Sequence, residues 1–152
     1  MNSKISVSFI IPAYNAEKTI EQCLINVIRE SKNFISEIII IDDCSEDKTY
    51  EIIKKFNNVR NYKIRKNSGV GYVRNVGSRL AKNKVLCYVD SDLIISKNSV
   101  NNLIEKLIKN DNIGSVGAIP ESITLTQNSW SSKFVGLRSA FGFEEVLDEV
   151  EV

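Results

Sequence analysis

Residues Glu37–Thr49 read EIIIIDDCSEDKT. Four consecutive isoleucines leave no polar face. Such a run suits a central strand of a parallel sheet, covered on both sides. The acid pair Asp42-Asp43 then marks the strand's carboxyl end, where open α/β sheets bind their ligands. Upstream, Ser6–Ile11 is a β-branched and aromatic run stopped by Pro12, a second strand of the same kind. Between them, residues 17–30 place Ile20, Cys23, Leu24, Val27 and Ile28 at helical spacing. Downstream, Ser45 offers a helix cap with Glu46 and Asp47 in the first turn. Ile52, Ile53 and Phe56 are that helix's apolar positions. Residues 59–65 form a weaker strand near a sheet edge, and Gly69 and Gly71 open a helix over 70–82. Residues 85–89 (VLCYV) are another buried strand, ending at Asp90-Ser91-Asp92. A helix over 98–110 carries Val100, Leu103, Ile104, Leu107 and Ile108, and residues 113–119 are a fifth strand stopped by Pro120.

This alternation predicts an α/β fold: an open, largely parallel sheet with helices on both faces. The predicted division is an α/β core over 1–120 and an irregular extension over 121–152. In the extension, Trp130, Phe134, Leu137, Phe141 and Phe143 fall at partly helical spacing.

Composition narrows the chemistry. The 152 residues suit one domain, with 43% hydrophobic and 26% charged residues. Lys+Arg is 20 against 19 for Asp+Glu, so nothing general pulls toward nucleic acid. The absence of histidine excludes Ser-His-Asp and Cys-His nucleophiles and His-ligated zinc. Cys23, Cys44 and Cys87 are odd in number and lack CxxC spacing, the pattern of free thiols rather than a disulfide framework. No run approaches the roughly 20 apolar residues of a membrane span. The expectation is a cytoplasmic protein.

Three polar clusters fall at strand ends: Pro12-Ala13-Tyr14-Asn15, Asp42-Asp43 and Asp90-Ser91-Asp92. The fold brings all three to one rim. In an extended segment, residues two apart point the same way, so Asp90 and Asp92 would present paired carboxylates. Such a pair favours a divalent cation, and oxygen ligands select Mg²⁺ or Mn²⁺. A strand-end turn is the plainer reading of the same residues. Asp42-Asp43 reads either as an Asx-turn or as an acceptor for base or ribose donors. Tyr14 reads as a boundary aromatic or as a stacking face. The segment Gly69–Arg74 fails the dinucleotide fingerprint because Arg74 stands at the third glycine's place. What remains is a helix entry suited to a phosphate, with Arg74 one turn inside.

Together, SFIIPAYNAEKTIEQCL (8–24), EIIIIDDCSEDKT (37–49), NSGVGYVRNVGSRLAKNKVLCYVDSD (67–92) and GSVGA (114–118) resemble glycosyltransferase family 2. These are inverting, nucleotide-sugar-dependent enzymes with the Rossmann-like GT-A fold. The resemblance covers the N-terminal half of that family and implies roles. Pro12, Ala13, Tyr14 and Asn15 would line the base pocket, with Tyr14 stacking on the base. Asp43 would accept from the base, commonly uracil. Gly69 and Arg74, the latter in a segment like the family's A-R-N-x-G, would support the diphosphate. Asp90 would face the ribose or the metal, and Asp92 would hold Mg²⁺ or Mn²⁺ directly. Cys44 stands where the family often has Gly, and Val73 where it usually has Ala.

The resemblance also implies a missing C-terminal half that supplies the acceptor site and a carboxylate base. No such base is assigned among Glu144, Glu145, Asp148, Glu149 and Glu151. The implied function is sugar transfer from a nucleoside diphosphate sugar, UDP-linked, to an acceptor hydroxyl of a glycan, lipid-linked sugar or protein. The alternative is a non-catalytic nucleotide-binding module completed by a partner chain. Association with the inner face of the membrane and homo-oligomerisation stay open. A sugar nucleotidyltransferase would need a Gly-rich, Arg-containing loop after the first strand, where this chain has PAYNAEKT.

Overall fold

The computed structural model describes residues 5–109, 112–118, 135–139 and 150–151, the last two groups by backbone alone. The elements run β1 (Ser6–Ala13), α1 (Ile20–Ser31), β2 (Ile35–Asp42), α2 (Thr49–Ile53), β3 (Arg60–Ile64), α3 (Val70–Leu80), β4 (Val85–Tyr88), α4 (Ser99–Ile108), β5 (Ser115–Ala118), β6 (Val135–Ser139) and β7 (Val150–Glu151). They form one sheet in the order β5-β6-β4-β1-β2-β3-β7.

The central four strands are parallel. β1 pairs with β2 from Ser6↔Ile35 to Ala13↔Asp42, and with β4 from Val7↔Val85 to Ile10↔Tyr88. β2 pairs with β3 from Ile39↔Arg60 to Asp42↔Lys63. The isoleucine run works as its composition predicts. Successive strand side chains point to opposite faces. Ile38 and Ile40 join Val7, Phe9 and Ile11 in the core that includes Ile20, Leu24, Val100 and Ile104 of α1 and α4. Ile39 and Ile41 join Ile10, Tyr62 and Ile64 against Val73 and Val76 of α3. Cys23 and Cys87 are buried free thiols, while Cys44 is half-buried.

Three expectations change. The fifth strand does not extend the parallel ladder: β6 inserts between β4 and β5, antiparallel to both. The region expected as an irregular extension thus contributes β6, and also β7, antiparallel to β3 at the other edge. Ser45 does not cap a helix, because α2 starts at Thr49 and its N-cap position is Lys48.

α3 sits very close to the sheet at Gly77. A Cβ there would collide with Cγ2 of Ile10 and lie 3.0 Å from Cδ1 of Ile41. At the strands' amino ends, Glu37 gathers three donors: Ser8 Oγ at 2.7 Å, the Lys82 amide at 2.6 Å and Arg60 Nη1 at 2.5 Å. Burial works to raise the Glu37 pKa. The hydrogen bonds from Ser8, Lys82 and Arg60, with the Arg60 charge, outweigh it and hold the carboxyl below its ordinary 4.5.

Two predictions follow from this packing. Gly77→Ala destabilises by about 1–3 kcal/mol from overpacking, offset by up to about 1 kcal/mol of helix propensity, read as a lower urea midpoint. For Glu37, a lowered folded pKa means stability that is present above the unfolded value and is lost as pH falls through the folded one. Urea midpoints of the parent therefore drop below about pH 4.5 relative to Glu37→Gln, which starts less stable at pH 7 and lacks this component of the acid dependence.

Candidate functional site

β1, β2 and β4 deliver their carboxyl ends to one rim. Pro12, Ala13, Tyr14, Asp43, Asp90 and Ser91 line a cavity of about 190 Å³, together with Val70 and Val73 of α3. Tyr14 stands at the mouth, 47% exposed. Asp43 is 3% exposed and ties three segments together. Its amide donates to Ala13 O at 2.8 Å. Its Oδ1 accepts the Ser68 amide and its Oδ2 the Gly69 amide, both at 2.8 Å. Gly69, at φ +84, makes the left-handed turn that aims its amide there and lets α3 begin at Val70.

Asp42 is fully buried and is not among the residues that line this cavity. Its Oδ2 accepts the Ser45 amide at 3.2 Å and lies 3.5 Å from Lys63 Nζ, its neighbour across the β2–β3 ladder. Cys44 then takes φ +61, and its thiol meets Arg65 O at 3.5 Å. Glycine adopts that conformation freely, a physical reason for glycine to serve at this place.

The Asp90-Ser91-Asp92 segment is a turn, not the extended stretch expected: the Leu93 amide donates to Asp90 O at 3.0 Å. The two carboxylates therefore separate. Asp90 lines the Tyr14–Asp43 cavity, and its Oδ1 is 2.5 Å from Arg74 Nη2. Asp92 is exposed and lines a neighbouring depression with Tyr14, Asn15, Glu17, Asp47 and Ser91. Tyr14 and Ser91 are common to both. Arg74 does not line the cavity; its buried Nε finds no acceptor among the described residues. Beneath the turn, the Cys23 thiol donates to Asp90 O at 3.5 Å. Burial, then the charges of Asp92 and Asp90, push its pKa up to about 12, so it stays a neutral donor. Arg29 Nη2 holds Ile95 O at 2.9 Å, fixing the chain beyond the turn.

Among the described residues no cluster of three acidic or thiol ligands could enclose a metal. Asp92, exposed on the rim, fits the different habit of Mg²⁺ and Mn²⁺: one or two carboxylates, with water and substrate phosphates completing the shell. The acids 144–149 lie outside the described residues.

Sequence reasoning missed Val70, Val73 and Ser91 as lining residues. The signal was the apolar V-x-x-V start of α3 directly after Gly69. It also missed Ser45, Asp47 and Thr49, whose side chains bond to the loop that carries Tyr14.

The family model described as glycosyl transferase family 2 matches residues 8–149. The chain belongs to this family. The poly(ribitol-phosphate) β-N-acetylglucosaminyltransferase TarS of Staphylococcus aureus is 34% identical over 98 residues, 61% of this chain and 17% of TarS. Glycosyltransferase GlyG of Streptococcus pneumoniae is 30% identical over 109 residues, 69% of this chain and 36% of GlyG. The crystal structure of S. aureus TarS 1–349 with UDP-GlcNAc superposes with a TM-score of 0.66 at 26% identity, covering 82% of this chain and 37% of that one. The Pyrobaculum calidifontis mannosyltransferase PcManGT, solved with GDP-Man and Mn²⁺, shares the fold, with a TM-score of 0.72 at 15% identity over 90% of this chain and 45% of that one. This family 2 chain thus spans less than half the length of each of these relatives. Its fold is that of these GT-A neighbours. No described helix is long and apolar enough to cross a membrane.

The strained loop yields a prediction. A non-glycine residue at positive φ costs about 1–2 kcal/mol, and glycine returns part of that as chain entropy. Cys44→Gly gains up to about 1 kcal/mol in denaturant unfolding, whereas the β-branched Cys44→Val loses about 1–3 kcal/mol.

Proposed function

We propose that the chain binds a nucleoside diphosphate sugar of the UDP class and forms the donor half of a glycosyltransferase. The observation that carries this reading is the meeting of three strand tips, Tyr14, Asp43 and Asp90, around one small cavity in a family 2 chain. TarS, solved with UDP-GlcNAc, supports the choice of uridine.

On this reading the Tyr14 ring covers one face of the base, with Val70 opposite. Asp43 still has acceptor capacity on each oxygen after serving two amides, and it can take a base N–H. Asp90, its charge answered by Arg74, faces the ribose hydroxyls. Arg74, with an unused Nε, turns toward the diphosphate. Asp92 is the metal ligand, and Mg²⁺ or Mn²⁺ there would stabilise the negative charge that develops on the departing diphosphate. The acceptor hydroxyl attacks the anomeric carbon opposite the leaving group and inverts it, with its proton passing to a carboxylate outside the described residues.

Calorimetric titration of the chain with UDP, with and without Mn²⁺, tests this. The expected outcome is Mn²⁺-enhanced binding by the parent and at least a tenfold loss of that enhancement in Asp92→Ala. Equal Mn²⁺-dependent binding by Asp92→Ala removes Asp92 as the ligand. Absence of UDP binding by the parent removes the donor-site reading.

A further inference from the structure

The loop bearing Tyr14 is stitched to the loop after β2 by five hydrogen bonds. The Asn15 amide donates to Ser45 Oγ at 2.9 Å, the Ala16 amide to Thr49 Oγ1 at 2.7 Å, and the Glu17 amide to Asp47 Oδ2 at 3.0 Å. In the reverse direction, the Glu46 amide donates to Asn15 Oδ1 at 3.0 Å and the Lys48 amide to Glu17 Oε2 at 3.2 Å. Three consecutive amides, 15–17, thus have side-chain acceptors about thirty residues away in sequence. Asn15 adopts φ +45, a conformation that asparagine tolerates better than most residues and that these partners hold in place. Ser45 is itself fixed, since its amide is held by buried Asp42.

We propose that Ser45 and Asp47 are positioning residues for nucleotide binding, acting through the 15–17 amides to hold Tyr14 in its stacking place. This rests on the donor-site reading above. The residues' chemistry suits the task. Asp47 uses one oxygen for the Thr49 amide at 2.9 Å and the other for Glu17, so it serves both loops at once. An asparagine keeps one acceptor only and turns an N–H toward the second amide. Tyr14 is 47% exposed, so its orientation depends in good part on the backbone that carries it. Neither Ser45 nor Asp47 lines the Tyr14–Asp43 cavity, and of the two only Asp47 lines the neighbouring depression with Asp92, so Ser45→Ala is the variant that acts on the loop alone.

The test is a double-mutant cycle read by UDP titration with Mn²⁺, together with amide hydrogen exchange. Asp47→Asn and Ser45→Ala are each made with Tyr14 and with Tyr14→Ala. With Tyr14 present, each weakens UDP about fivefold, the effect of one hydrogen bond. With Tyr14→Ala each has less than about a twofold effect, because the group being positioned is gone. Ser45→Thr, which keeps the hydroxyl, restores affinity to within about twofold. Exchange rises at the Glu17 amide in Asp47→Asn and at the Asn15 amide in Ser45→Ala, while Ile10 and Ile40 are unchanged. Equal losses in both Tyr14 backgrounds, no loss of affinity, or unchanged exchange at these amides overturns the proposal while leaving the donor site standing. A parent that binds no UDP overturns the donor-site reading, and this inference with it.

Discussion

A single buried carboxylate holds the rim together. Asp43 carries the end of β2, takes the amides of Ser68 and Gly69 on its two oxygens, and gives its own amide to the end of β1. Hydrogen bonds to a charged acceptor contribute about 1.5–3 kcal/mol each, more than neutral ones. The geometry explains why the residue is an aspartate. Two separate N–H groups converge on it, so both terminal atoms must accept. An asparagine would set a donor against a donor. A glutamate would push the same head one methylene further into a cavity of about 190 Å³. The two oxygens place the start of α3, and the amide of the same residue ties it to the end of β1 beside Tyr14.

β2 carries a matching device at its other end. Glu37 binds Ser8, Arg60 and the Lys82 amide, joining β1, β3 and the α3–β4 connection at the amino ends of the strands. Arg60 in turn reaches Leu80 O and Tyr62 OH. Between the two carboxylates lies a run of buried isoleucines, with side chains given alternately to two cores. Apolar burial sets the strand's depth without regard to direction. The polar ends fix where the strand begins and stops, and so which residues reach the rim.

Much of this was legible in the sequence. Alternation of apolar runs with helical spacing fixed the four parallel strands, because burial on both faces leaves a pattern in local composition. The strand-end clusters were legible for the same reason, since polar residues interrupt each run where it meets solvent. The insertion of β6 between β4 and β5 was not. Strand order here depends on pairing between residues about twenty (β5–β6) and about fifty (β4–β6) positions apart, and 135–139 (VGLRS) has no strong period of its own. The Asp90–Leu93 turn was also missed: D-x-D suits both an extended segment and a turn, and the choice depends on what lies beneath. Here that is the Cys23 thiol under Asp90 O and the buried Leu93 and Ile95. Ser45 misled because S-E-D is a good helix start in isolation. A nearby loop with unpaired amides competed for its hydroxyl and won.

The rim is rich in acids, an unpromising place for a diphosphate until its partners are traced. Asp42 is answered by Lys63 from β3, Asp43 by two amides of the loop before α3, and Asp90 by Arg74 from within α3. Each negative group is compensated by a different element, so the strand tips can approach one another. The order of these partners along the rim decides how the site divides. Of the compensated acids, Asp43 and Asp90 line the Tyr14–Asp43 cavity, and on the proposed reading they offer acceptors to a neutral base and ribose. Asp92, exposed, lines the neighbouring depression that shares Tyr14 and Ser91 with this cavity, the open position that the proposed hydrated cation needs. The turn leaves Asp90 on the Tyr14–Asp43 cavity and Asp92 on the neighbouring depression, a division that suits the proposed chemistry better than the parallel pair that the sequence suggested.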